Sequence, residues 1–385
     1  MQESLTPMTL GEINRKLLLD YVRKNGPTSR ADLHRNLNMS APTVSANVKK
    51  LLETGFLLEA GEADNSIGRK ATLVMFNEKR AYVAGVDIGR SQLRLSLADL
   101  LGKEIVSLKE PSRLSDLKNQ LHCLIERALE ETGIDRAQLS CIALGIPGIQ
   151  DPHTGNAVLA PFADKMDLYS LIGMLEAQYP AKVLVENSVN YGAIGEKWQG
   201  VAQGYRNILY ISYGIGIGAG VILNEELFRG ASGAAGEIGY MVSDSALLHG
   251  IFDSCGALEQ EISGGVIQKI LRDHGRDAEV AEILQGHTDD DFSRELVERI
   301  VRSMGVVMIN MTAMFNPEAI VVGGGFGDLL VEPFRPVWLD MLRRHVPFVP
   351  EILSSRLHAH ANVLGAVAAA IRYANDSCFD TRLEN

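Results

Sequence analysis

Two stretches of the chain repeat the same order of strand, glycine turn and strand, and this duplication constrains the fold more than any other feature. The first stretch runs from Tyr82 to Ile105 and the second from Asn207 to Phe228. In both, short runs rich in Val, Ile and Leu are bounded by glycine, which is the pattern of buried strands. A helical stretch and further strands follow each of them, so the sequence predicts two α/β lobes built in the same way.

A duplicated unit of this kind points to the actin-like, ribonuclease-H-like fold, in which two lobes close over a cleft. The glycine turn after the first strand of each lobe would bring backbone N–H groups to that cleft, where such groups bind phosphate. Glycine also serves ordinary tight turns, so the turns alone do not establish a phosphate site.

Ahead of the duplicated region, residues 1–76, here called the head, predict a winged helix-turn-helix domain. The first predicted helix, residues 9–24, has an apolar face formed by Ile13, Leu17, Leu18, Tyr21 and Val22. Ser29 followed by Asp32 is typical of the capping box that begins a second helix, and Ser40 has the position of the N-cap of a third. Two strands around a polar loop at residues 60–70 complete the wing.

The third helix and the wing carry side chains suited to binding DNA. Thr and Asn reach base edges in the major groove, while Lys and Arg suit phosphates and, at the tip of a wing, the minor groove. The predicted DNA-binding residues are Arg35, Ser40, Thr43, Asn47, Lys49, Lys50, Arg69 and Lys70. The alternative is a small helical bundle whose basic surface has no nucleic-acid partner.

The net charge of the chain changes sign close to the end of the head. Residues 1–80 hold 12 Lys and Arg against 9 Asp and Glu, a net charge of +3, whereas the remainder holds 25 against 39, a net charge of −14. A basic head on an acidic body indicates that only the head meets a polyanion, although acidic surfaces also keep proteins soluble. Residues 77–81 are short and charged and are expected to link the head to the body, residues 82–385.

The cysteine content and hydropathy predict where the protein works. Its four cysteines are scattered, with no CxxC pair, and neither an apolar run of eighteen residues nor an apolar signal core is present. These features predict a cytoplasmic protein that does not enter membranes.

Seven segments of the body share one family's motifs. They are GIPGIQD (145–151), VENSVNYGAIGE (185–196), GIGIGAGVI (214–222), GASGAAGEIGY (230–240), GALEQEISG (256–264), NPEAIVVGGGFG (316–327) and LGAVAAAI (364–371). In this order they resemble the ROK family, which includes sugar kinases and repressors, over nearly all of residues 82–375. With the winged head, the whole chain resembles the ROK repressors of sugar catabolism, and NSIGRKATLVMFN and GEKWQGVA are most similar to the xylose-responsive branch.

The resemblance also implies catalytic residues that this chain lacks. In ROK kinases an Asn-Asp pair supplies the general base, but this chain has Glu186-Asn187-Ser188, and a serine has no useful pKa for that role. The kinases' first phosphate turn, Asp-x-Gly-Gly-Thr, is replaced by Asp87-Ile88-Gly89-Arg90-Ser91, and the second, Gly-Thr-Gly, by Gly214-Ile215-Gly216. We therefore predict that the protein is not an enzyme, with Ser188 in place of the catalytic Asp.

The family's structural zinc site is altered as well. Its ligands are a His after Gly-Glu-x-Gly and three Cys. Tyr240 stands at the His position and Ala257 at that of the last Cys, which leaves Cys255 and a nearby His249. One thiol cannot build a tetrahedral zinc site, so neither a metal nor another cofactor is expected.

Sugar-binding positions survive better. The resemblance places Asn187, Glu237 and Glu259 where family members hold sugar hydroxyls, with Ser188 and Tyr240 beside them. Carboxylate and amide groups suit vicinal hydroxyls in a concave site. The alternatives are that Glu237 bonds only to backbone amides and that Glu259 is a surface acid.

These observations predict a sugar-responsive repressor that binds a pseudo-palindromic operator as a homodimer or homotetramer. Two alternatives remain open on sequence: an active ROK sugar kinase with a DNA-binding head, and a regulator controlled by a protein partner.

Overall fold

The head has the predicted winged helix-turn-helix fold. In the computed structural model, which describes residues 10–62, 71–151, 154–158, 167–249, 255–287 and 290–377, its elements are α1 (Leu10–Asn25), β1 (Thr28–Ser29), α2 (Arg30–Leu37), α3 (Ala41–Glu53), β2 (Leu57–Glu62) and β3 (Thr72–Phe76). The three strands form an antiparallel sheet in the order β1-β3-β2. Both predicted N-caps are present: Ser29 Oγ accepts from the Asp32 N–H, and Ser40 Oγ accepts from the Thr43 N–H, each at 3.2 Å.

The apolar face predicted for α1 is partly wrong. Leu18 and Val22 are buried, together with Leu19, but Ile13 and Leu17 are exposed. The reason is geometric, because α2, α3 and β3 cover only the side of α1 that is centred on Leu18 and Val22.

The first lobe of the body is a five-stranded sheet with two helices on one face and the C-terminal helix of the chain on the other. Its elements are β4 (Tyr82–Ile88), β5 (Gln92–Asp99), β6 (Glu104–Pro111), α4 (Leu117–Thr132), β7 (Leu139–Ile146), a small hairpin of β8 (Ile149–Gln150) and β9 (Ala157–Val158), α5 (Leu168–Gln178) and β10 (Lys182–Asn187). The strand order is β10-β7-β4-β5-β6. The strands β4 and β7 consist almost entirely of buried residues, and α4 and α5 cover them.

The second lobe repeats this plan. Between the lobes lies α6 (Ser188–Trp198), and the lobe itself contains β11 (Ile208–Tyr213), β12 (Ile217–Leu223), β13 (Glu226–Leu227), α7 (Ala257–Ile262), α8 (Gly264–Asp273), α9 (Val280–Leu284), α10 (Asp291–Phe315), β14 (Ala319–Gly323), α11 (Gly327–His345) and β15 (Glu351–Ser354), followed by α12 (Ala361–Ser377). The strand order is β13-β12-β11-β14-β15. In each lobe the first three strands are antiparallel and the last two pair in parallel, which confirms the predicted two-lobed fold.

The helices α6 and α12 cross between the lobes and hold them together. The helix α6 packs on β11 and β12 of the second lobe, while α12 packs on β4 and β7 of the first. Glycine permits their close approach, because a Cβ on Gly365 would lie 1.7 Å from the Tyr191 carbonyl oxygen, and one on Gly195 would lie 2.2 Å from that of Ala361. Glu196 on α6 is fully buried and accepts from the Ser355 hydroxyl and the Leu357 N–H in the segment that leads to α12.

The head is joined to the body by ordered contacts. Arg80 Nε donates to the Thr54 carbonyl at 3.1 Å, and its guanidinium lies over the Phe56 ring. On α1, Lys16 forms an ion pair with Asp376 in the last turn of α12. No helix in the described ranges has the length and apolar character that crossing a bilayer requires.

Candidate functional site

The exposed side of α3 carries part of the predicted DNA-binding set. Thr43 lies in the first turn of α3, and its hydroxyl forms a hydrogen bond with Ser40 Oγ at 2.7 Å. These two predicted DNA-binding residues therefore contact each other. Lys49 and Lys50 are both exposed, and Lys49 lies 3.8 Å from Glu53. Arg35 on α2 is exposed and pairs with Asp32. A ligand with phosphate groups would compete with these exposed carboxylates for the cations.

Asn47 does not lie on that exposed side, and its predicted placement is wrong. It is 9% exposed, and its side-chain amide donates to the Thr43 carbonyl at 2.8 Å. Position 47 is three residues after Val44 and four before Leu51, which puts it in the buried stripe of a 3.6-residue helix. The wing residues Arg69 and Lys70 lie outside the described residues.

Asn187, at the end of β10, begins the cleft site. Its Oδ1 caps α6 by accepting from the N–H groups of Val189 and Asn190, at 2.7 and 3.3 Å. Its Nδ2 donates to the Gly148 carbonyl at 2.8 Å and lies 3.5 Å from Glu237 Oε1, which belongs to the opposite lobe. The two lobes therefore bring together two of the predicted sugar-binding side chains.

Glu237 and Glu259 form an acidic pair in the second lobe. Glu237 precedes a short 3-10 turn, Ile238–Tyr240, and Glu259 lies in α7. Burial and the neighbouring Glu259 raise the pKa of Glu237 to about 7. Burial also raises the pKa of Glu259, while hydrogen bonds from Cys255 and the Ile217 N–H act in the opposite direction. Two partly buried carboxylates whose charges act on each other favour binding of hydrogen-bond donors such as sugar hydroxyls.

Tyr240 and Cys255 lie beside this pair, and together they do not fit a zinc ion. Burial, Glu237, Glu259 and Cys255 raise the pKa of Tyr240. Burial and Glu259 raise the pKa of the Cys255 thiol to about 12, and the thiol donates a hydrogen bond to Glu259. A structural zinc ion takes four ligands, and the described residues contain no group of three or more His, Cys, Asp or Glu side chains that could hold a metal ion. The absence of a cofactor stays a prediction.

Ser188, in the first turn of α6, lies next to Asp87 at the end of β4. Its Oγ is buried and has no hydrogen-bond partner with good geometry in the described part of the chain. Asp87 is also buried, accepts from Asn362 Nδ2 at 3.3 Å and lies 3.7 Å from Arg94. Burial raises the pKa of Asp87, and Ser188, Arg94 and Asn362 act in the opposite direction.

The two glycine turns differ in what they present. In the first, the Gly89 N–H donates to the Gln92 carbonyl at 3.0 Å and Arg90 is exposed. In the second, the carbonyls of Gly214 and Ile215 accept from the first N–H groups of α8, at 2.9 and 3.0 Å, and the Ile215 side chain is 47% exposed. An apolar side chain thus stands where the resemblance places the kinases' phosphate-binding threonine.

Sequence reasoning missed a contact between the two lobes at this site. Arg229, just after β13, donates through Nε to Glu186 Oε2 at 2.6 Å, and Glu186 is the residue before Asn187. The available signal was its position directly ahead of the GASGAAGEIGY segment, but the partner lies 43 residues earlier, in the other lobe.

Models of known protein families match both the head and the body. The model of the ROK family matches residues 83–372, and that of winged helix-turn-helix DNA-binding domains matches residues 12–57. The xylose repressor of Bacillus spizizenii is 30% identical over 378 residues, which span 94% of this chain and 96% of that protein. The glucokinase of Halalkalibacterium halodurans is 27% identical over 285 residues, 66% of this chain and 84% of that protein.

Among solved structures, a ROK family transcriptional regulator described as a homolog of the Escherichia coli MLC protein has the same fold. It superposes with a TM-score of 0.78 at 20% identity, covering 97% of this chain and 99% of that one. A family model that spans most of the body, together with a relative similar along nearly the whole length, settles the classification. The chain belongs to the ROK family.

Proposed function

We propose that the protein is a sugar-responsive transcriptional repressor that works in the cytoplasm as a homodimer or homotetramer. One observation carries the proposal: a single chain joins a winged helix-turn-helix to a kinase-like cleft that keeps Asn187, Glu237 and Glu259 but has Ser188 at the position of the base. The named repressor relatives, similar from head to body, support the same function.

The cleft favours binding over phosphoryl transfer. A positioned general base contributes roughly 10²–10⁴ in rate, and the buried Ser188 hydroxyl cannot accept a proton in that role. Ile215 supplies no hydroxyl to a phosphate. What remains is a set of groups that hold sugar hydroxyls.

On the DNA side, Thr43 at the start of α3 is the proposed base-reading residue. Arg35, Lys49 and Lys50 are proposed to bind phosphates, with Ser40 ordering the start of the helix and Arg69 and Lys70 acting from the wing. Two heads of a dimer would place their α3 helices in successive major grooves of a pseudo-palindromic operator.

Sugar is proposed to control DNA binding by changing how the lobes close. The crossing helices α6 and α12 connect both lobes, and α12 ends at the ion pair with Lys16 of the head. A sugar that favours one lobe arrangement by about 1–3 kcal/mol would shift the operator affinity by roughly 5-fold to 150-fold.

A thermal-shift panel tests the sugar-binding half of the proposal. The full-length protein is heated with mono- and disaccharides, each with and without ATP. A sugar at 100 times its Kd should add about 2.7 kcal/mol of stability, without any contribution from ATP. Stabilisation by ATP with release of ADP would instead show an active kinase, and no shift with any sugar would favour control by a protein partner.

A further inference from the structure

An ion pair between Arg229 and Glu186 bridges the two lobes beside the cleft. Glu186 ends β10 in the first lobe, and Arg229 follows β13 in the second. The Arg229 Nε to Glu186 Oε2 distance is 2.6 Å, and the Glu186 side chain is only 13% exposed. The Arg229 side chain is 56% exposed, so the definition of this charge-assisted hydrogen bond comes from the carboxylate, which is mostly buried.

On the first lobe, Glu186 orders the residues around Asn187. Its second oxygen, Oε1, accepts from the Asn187 N–H at 3.0 Å and from Asn190 Nδ2 at 2.9 Å. Asn187 is the N-cap of α6, and Asn190 lies in the first turn of that helix. The orientation of the Glu186 carboxylate is therefore tied to the position of Asn187.

On the second lobe, Arg229 begins the loop that carries Glu237. The Arg229 carbonyl accepts from the Ala235 N–H at 3.1 Å, which closes the loop on itself. The loop is held against β12, because the Ala219 N–H donates to the Gly236 carbonyl at 2.7 Å. Arg229 and Glu237 thus move with the same lobe.

We propose that Arg229 is a positioning residue for sugar binding, whose ion pair with Glu186 sets the separation of Asn187 and Glu237 across the cleft. Two bridges run side by side between the lobes: Arg229 to Glu186, and Asn187 to Glu237 at 3.5 Å. Arg229 and Glu186 are not among the predicted sugar-binding residues, but their ion pair fixes the geometry of the contact between Asn187 and Glu237. This inference rests on the proposed function, since it assumes that a sugar contacts both Asn187 and Glu237.

The matched variants are Arg229→Gln, which removes the charge, Arg229→Lys, which keeps it, and Arg372→Gln as control. Arg372 on α12 pairs with Glu226 of β13 at 3.2 Å, so it also bridges the lobes, and the charges that act on it are those of Glu226 and Asp376 rather than Glu186. Amide hydrogen exchange on the full-length protein without sugar is the first readout. Arg229→Gln should accelerate exchange in residues 184–190 and 229–238, and Arg372→Gln should leave both segments unchanged.

The second readout separates positioning from a general structural role. With D-xylose, D-glucose and L-arabinose as probes, Arg229→Gln should weaken sugar affinity by about tenfold to 100-fold, with partial recovery in Arg229→Lys. Its Tm without sugar should stay within about 2 °C of the wild type, because the arginine is largely exposed. Operator affinity without sugar should not change.

Unchanged exchange in both segments, or equal acceleration in Arg372→Gln, would overturn the positioning role. A lowered Tm that accounts for the lost affinity would reduce Arg229 to a structural residue. If none of the three sugars binds the wild type, the proposed function is in question, while the exchange data still decide whether Arg229 orders Asn187.

Discussion

The head and the cleft carry their charges in opposite environments. The basic groups of the head, such as Lys49, Lys50 and Arg35, are exposed, whereas Asp87, Glu237 and Glu259 in the cleft are mostly buried. At about 0.1 M salt, interactions between exposed charges are largely screened beyond about 10 Å, whereas burial shifts the pKa of acids. DNA binding by the head should therefore depend on ionic strength, and the stability that the cleft contributes should depend on pH.

The molecule should be most sensitive to change where the two regions are joined. Gly365→Ala would place a methyl group 1.7 Å from the Tyr191 carbonyl oxygen, and backbone cannot move aside as a flexible side chain can. We expect a loss of about 3 kcal/mol or more of unfolding free energy, measured by urea denaturation of the full chain. Because α12 packs against the first lobe and pairs with the head, both regions should lose stability together.

Gly173→Ala is the matched control for that change. Gly173 is an exposed residue inside α5, and a Cβ there would meet nothing within 4 Å. Its replacement should stabilise the protein by about 0.5–1 kcal/mol. A Gly365→Ala protein as stable as the wild type would refute the close crossing of α6 and α12.

The pH dependence of the cleft should follow from Glu237. Its pKa rises from an ordinary value of 4.5 to about 7 on folding, so the folded protein binds the proton more tightly than the unfolded chain. The resulting stability is complete below about pH 4.5 and is lost as pH rises through 7. Glu237→Gln should therefore gain about 1–3 kcal/mol relative to the wild type between pH 5 and pH 8.

Denaturation midpoints at several pH values measure this difference. Glu332→Gln, which removes an exposed carboxylate on α11, should show the same pH profile as the wild type. A Glu237→Gln profile parallel to that of the wild type would show that folding does not shift the pKa of Glu237.

The smallest change is expected in the salt dependence of operator binding by the head. Lys49→Ala and Lys50→Ala should each lower the slope of log affinity against log salt by about 1 for an operator duplex selected in vitro. Asn47→Ala should leave the slope intact and lower the stability by about 1 kcal/mol, because the amide it loses is bonded to the Thr43 carbonyl. An unchanged slope in both lysine variants would remove α3 from the DNA interface.

How far the sequence predicted these regions depends on the range of the interactions. The caps at Ser29 and Ser40 were predicted correctly because cap and helix are neighbours in the chain. The two-lobed fold was predictable because its strands and glycine turns occur twice. The apolar face of α1 was misplaced, since a buried stripe depends on which neighbours cover a helix. Asn47 was misplaced although its spacing from Val44 and Leu51 already indicates the buried stripe of α3.

The cleft was predictable only through family resemblance. Asn187, Glu237 and Glu259 come from three separate segments, and no local pattern brings them together. The partners Arg229 and Glu186, and likewise Arg94 and Asp87, are fixed by tertiary packing. Short-range rules give no signal for such pairs.

Fluorescence anisotropy of operator DNA tests whether the kinase-like cleft works here as a receptor. Full-length protein bound to a labelled duplex is titrated with D-xylose and other sugars, with and without ATP, and ADP is measured in the same samples. We predict that one sugar alone releases the duplex, with at least about a fivefold loss of affinity, and that no ADP forms. Release that requires ATP and produces ADP would contradict the claim and identify the protein as an active sugar kinase.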